Sequence, residues 1–93
     1  MGFFSSPADK YPQEKHQLAE IDLKRWVTHE HIPTLDQYQV ELVRSAILHK
    51  REAGKISLRN VYELLEHMVL KYEISTLDRD GVLRIIEEHL GNV

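Results

Sequence analysis

The six residues from Thr28 to Pro33 read THEHIP and set two histidines around a glutamate, donor types that metal sites use. Spacing argues against a shared ion. On a helix, His29 and His31 stand about 200° apart around the axis and point to nearly opposite sides. Chelation from one helical face needs a spacing of three or four residues, as in His-Glu-x-x-His or Glu-x-x-His. Three residues before the six histidines stand Gln13, Trp26, Thr28, Ala46, Leu64 and Ile86, none of them a ligand of that kind. The expectation is therefore a helix C-terminus, where positive charge is favoured by about 0.3–1 kcal/mol, and no metal site. Elsewhere, His67 projects away from an apolar stripe. His49 and His89 fall on apolar faces near helix C-termini, as core-edge histidines, and are the positions expected to respond to pH near neutrality.

Other chemistry is thinly represented. The chain has no cysteine and only four glycines, so there is no thiolate nucleophile, zinc–thiolate cluster, phosphate-binding loop or Gly-x-Ser-x-Gly elbow. The stretch AGKISLRN resembles the later half of an EF-hand loop. With Gly54 at its sixth position, however, the ligand positions fall on His49, Arg51, Ala53 and Asn60, where calcium needs carboxylates. Neither an enzyme nor a cofactor is expected.

Charge is distributed more tellingly. Residues 44–59 carry five basic side chains (Arg44, Lys50, Arg51, Lys55 and Arg59) against Glu52 alone, a net +4. Residues 1–43 are net −3 and residues 60–93 net −4. If two antiparallel helices meet there, those cations gather beside a helix N-terminus, whose free amides favour an anion or an acidic partner. The competing account is that Lys50 and Arg51 offset a helix dipole while Lys55 solvates a loop.

The elements that must position these groups follow from period and punctuation. At 93 residues, 42% apolar and 29% charged, the chain has the size and composition of one small globular domain. No segment longer than four residues alternates strictly, whereas the helical period recurs four times. The fold class expected is all-α, a compact four-helix array with helices over 13–31, 35–53, 58–73 and 77–90, preceded by a flexible tail over 1–11 in front of a single domain over 12–93. Thr34 and Gln37 are spaced as a capping box, Gly54 stands where a left-handed cap is needed, and Ser57 caps the third helix. Apolar stripes run through Leu23 and Val27; through Leu35, Tyr38, Val43 and Ile47; through Leu58, Leu65, Met68 and Tyr72; and through Val82, Ile86 and Leu90. Gly81, inside the last helix, signals a close helix–helix approach or a late start. MGFFSSP formally fits an acylation pattern, but Phe3 and Pro7 make a poor acceptor.

The function expected is that of a small cytoplasmic interaction or regulatory module that binds another macromolecule, a protein first. A nucleic-acid-binding protein using the basic junction is the alternative, and a histidine-based metal or pH sensor the third reading. No membrane partner is expected. Self-association is expected from Ile21, which lies about 160° around the helix from Leu23 and leaves surplus apolar surface.

Overall fold

Residues 13–18 are mostly good helix formers, yet they do not form a helix. The computed structural model describes residues 10–90; in it Lys15–Gln17 form a short strand, β1, and only Glu20–Trp26 are helical, as α1. A helix over 13–31 is therefore replaced by strand, short helix and turn. The reason is tertiary. The next helix, α2, covers Gln37–Lys50, and beyond it a strand, β2, at Lys55–Ser57 pairs antiparallel with β1. Lys15 faces Ser57, His16 faces Ile56 and Gln17 faces Lys55. This pairing overrides a weak helical preference.

Gly54 makes that pairing reachable, in a different role from the expected helix cap. Ala53 (φ 54°) and Gly54 (φ 79°) are both left-handed. Glu52 and Lys55 exchange backbone hydrogen bonds across them, at 2.9 and 3.0 Å. Two consecutive positive φ values are the signature of a type I′ turn, whose twist suits a tight antiparallel reversal. Accordingly α2 stops at Lys50, with extended Arg51 as its C-cap, three residues short of the expected end.

The start of α2 also moves. Its capping box uses Asp36 and Gln39 instead of Thr34 and Gln37: the Gln39 amide donates to Asp36 Oδ1 at 2.8 Å, and the Asp36 amide to Gln39 Oε1 at 2.9 Å. The shift leaves Leu35 just ahead of the cap and Val40 four positions into the helix. These are the sites of a hydrophobic staple, and both are buried.

Helix α3 (Leu58–Leu70) begins where expected, with the Asn60 amide donating to Ser57 Oγ at 3.0 Å. It ends three residues early. The Glu73 amide reaches the Met68 carbonyl and the Tyr72 amide the Val69 carbonyl, both at 3.0 Å, which is a Schellman closure with Tyr72 in the left-handed position. Tyr72, expected on the apolar stripe, is thereby turned outward and is 95% exposed. Helix α4 (Thr76–Leu90) starts on a reciprocal Ser75–Asp78 pair at 2.8 and 3.1 Å. Gly81 does mark a close approach, though to a turn and not to a helix. A Cβ placed there would lie 3.1 Å from Ile32 Cγ2.

Among the described residues the fold is mainly helical, with four helices and a two-stranded sheet. Sequence-adjacent helices are packed on one another around a core that takes in Leu23, Leu35, Ile47, Ile56, Leu65 and Ile86. Tyr11, assigned to the tail, packs on this core and stacks on Tyr62 with ring centroids 5.3 Å apart. The tail and acylation readings over 1–9, and the cap at Gly91, lie outside the described residues. Among the described residues no helix is long and apolar enough to cross a membrane.

Leu65 is fully buried, so Leu65→Ala should cost about 2–5 kcal/mol in chemical denaturation. Tyr72→Gly should act the other way. Glycine suits a left-handed residue, so the substitution should raise stability by about 1 kcal/mol in dilute solution, and a lower unfolding midpoint would mean that the Tyr72 ring is held by contacts within the chain.

Candidate interaction surface

Of the five cations of the basic segment, the three arginines direct guanidinium donors to different backbone carbonyl groups. From α2, Arg44 reaches back to the end of α1, its Nε donating to the Val27 carbonyl at 2.9 Å and its Nη2 to the Lys24 carbonyl at 3.0 Å. These are acceptors that the last turn of a helix leaves unpaired. Arg51, expected to be exposed, is half-buried and donates from Nη1 to the Leu18 carbonyl at 2.7 Å. Arg59 donates from Nε to the Tyr11 carbonyl at 3.1 Å and from its amide to the Pro12 carbonyl at 3.2 Å. Lys50 and Lys55 are exposed.

The start of α3 is correspondingly occupied. The Arg59 and Asn60 amides, counted as anion donors in the sequence, already face Pro12 and Ser57. A cleft of about 290 Å³ beside them is lined by Gln13, Lys15, Ser57, Arg59, Asn60 and Glu63. Its Lys15 forms an ion pair with Glu52; the hydrogen bond from Lys15 holds the Glu52 carboxyl below its ordinary pKa.

The histidines are also placed differently from expectation. Helix α1 ends at Trp26, so His29 and His31 lie in a separate turn and not at a helix C-terminus. His29 Nδ1 donates to the Leu35 carbonyl at 2.6 Å, which fixes the protonated nitrogen, while His31 Nδ1 meets Thr28 Oγ1 at 2.9 Å. Both bonds shape the link between α1 and α2. His49 and His89, read as core-edge residues, are exposed. His89 lies flat on Trp26, with ring centroids 4.1 Å apart and planes within 1°. Among the described residues no three His, Asp or Glu side chains are grouped as metal ligands.

A second polar cluster fastens the start of the described chain. Tyr62 donates its hydroxyl to Glu66 at 2.9 Å, and the Arg79 guanidinium sits 5.6 Å above the Tyr62 ring while bridging Glu66 and Asp80. Burial raises the pKa of both Tyr62 and Tyr11.

What the structure leaves outside is apolar. Tyr38 (74% exposed), Leu70 (70%), Tyr72 (95%) and Leu77 (68%) protrude from the start of α2, the end of α3, the α3–α4 turn and the start of α4. Gln39 Nε2 donates to the Glu73 carbonyl at 3.2 Å, which binds the start of α2 to that turn and makes one end of the molecule of these four. Beside Leu77 runs a groove of about 230 Å³, with Ile32, Pro33 and Thr34 on one wall and Gly81 and Arg84 on the other. Ile21 is also exposed, but on α1 beside the Glu20–Lys24 ion pair. Period alone assigned Tyr38 and Tyr72 to buried stripes. The cap signal at Ser75 could have shortened α3 and released Tyr72.

No family model, curated protein or solved structure matches the chain. The arginine contacts provide their own test. Arg44→Met and Arg51→Met should each cost about 1–3 kcal/mol in urea unfolding, since each strands carbonyl oxygens that a charged donor now holds. Lys50→Glu should stay within about 0.5 kcal/mol of the parent.

Proposed function

We propose that this chain is a small, non-catalytic helical binding module that holds another protein chain against the end formed by the starts of α2 and α4 and the α3–α4 turn. One observation carries the reading. Tyr72 has φ 61°, a conformation that glycine adopts without strain, and its side chain is 95% exposed. A ring that costs backbone energy and gains no internal contact is best explained by an external one. Tyrosine is enriched among the few residues that dominate protein interfaces. Tyr38, Leu70 and Leu77 add exposed apolar surface on the elements that meet at this end, and exposed apolar surface marks contact sites where it gathers.

The nucleic-acid alternative draws less support. Of its five cations, Arg44, Arg51 and Arg59 direct guanidinium donors to backbone carbonyls, whereas phosphate binding calls for several cations turned outward together.

Capture of host proteins by immobilised chain, with Tyr72→Ser and Leu77→Asp in parallel, tests the proposal. Each substitution should weaken recovery of the partner about tenfold, the scale of an interface anchor. Lys50→Glu with Lys55→Glu should leave recovery unchanged. Full recovery by both apolar variants, with loss in the double lysine variant, would transfer the function to the basic segment.

A further inference from the structure

Resting on the reading of the apolar end as a binding surface, we infer that its occupant is a second copy of this chain, joined by a two-fold contact in which each Tyr72 fills the partner copy's groove beside Gly81. The end carries both halves of such a contact. Tyr72 is the projection, and at 95% exposure it lies outside its own chain's groove. The groove is the recess, and its volume of about 230 Å³ suits one large side chain. Gly81 lets the α4 side of the recess come close to Ile32, since a Cβ there would stand 3.1 Å from Ile32 Cγ2 and require that side chain to give way slightly. Pro33 and Leu77 offer apolar contact to a ring, and Asp80 and Arg84 line the same recess with polar groups for a phenol hydroxyl. A surface bearing both lets each copy offer its projection to the other's recess, which is the form an isologous interface takes.

The area is of the right order. Tyrosines contribute about 150–250 Å² each, so two of them with two leucines and a polar rim approach the roughly 800 Å² per partner of a standard interface. Two-fold closure also covers the apolar surface in both copies at once, leaving no end open for further growth.

Sedimentation of the full-length chain from low micromolar to hundreds of micromolar concentration tests this. The wild type should pass from monomer to dimer. Tyr72→Gly removes the projection while keeping a favourable turn, and Leu77→Asp spoils the recess at a helix start where an acidic residue is tolerated. Each should raise the dimer dissociation constant at least about tenfold. An equimolar mixture of the two should associate more strongly than either alone, because one projection and one recess remain intact between them. A wild type that stays monomeric throughout, or a dimer indifferent to both substitutions, overturns the inference. A monomeric wild type that still captures a different host protein through Tyr72 overturns the second-copy assignment and leaves the binding surface standing.

Discussion

The backbone carbonyls of residues 11–27 must find donors, and most of this architecture follows from how they do. That stretch contains a three-residue strand and a seven-residue helix, too little regular structure to satisfy its own acceptors. The donors come from elsewhere in the chain. Arg44 serves Lys24 and Val27, Arg51 serves Leu18, Arg59 serves Tyr11 through its guanidinium, and the Arg59 amide serves Pro12. A charged donor to a part-buried carbonyl is worth more than a neutral one. The concentration of arginine between residues 44 and 59 is thus explained by what lies across from it in the fold.

Fastening the first third of the chain in this way determines the shape of the opposite end. Helix α1 ends at Trp26 with its last carbonyls held by Arg44, and the link to α2 turns sharply, supported by His29 on the Leu35 carbonyl and by Thr28 on His31. The turn brings Ile32 into the core against Gly81 and sets Pro33 and Thr34 along one side of α4. The groove is a by-product of that docking, since two regular helices packed side by side would interleave their side chains and close it. Tyr72 stands on the turn that the early end of α3 creates, and Tyr38 is exposed in the first turn of α2.

Much of this was legible in the sequence, and the misses have local causes. The cap at Ser57, the apolar face of α3 and the extent of α4 follow from residue types whose effect is confined to one helical turn. The strands were not visible because three residues are too few to show alternation, and their pairing joins positions 40 apart. A Thr-x-x-Gln and an Asp-x-x-Gln box overlap at the start of α2, and only the burial of Leu35 selects between them. The basic segment was legible as composition but not as geometry. Net charge counts the cations, whereas the direction each guanidinium takes depends on which carbonyls the remote chain leaves open.

The same contrast separates the two candidate surfaces. A cation on a long side chain can turn inward at modest cost, because its stem packs on apolar atoms while its head finds an acceptor. An arginine-rich segment is therefore weak evidence for an outward-facing site. A tyrosine at a left-handed helix end has no such freedom: the backbone conformation aims its ring away from the helix it terminates, and folding gains nothing from it. Natural chains relieve such positions with glycine unless something else retains the side chain. For this reason the site is better sought at Tyr72, where the fold bears a cost, than at Arg51, where the fold is served.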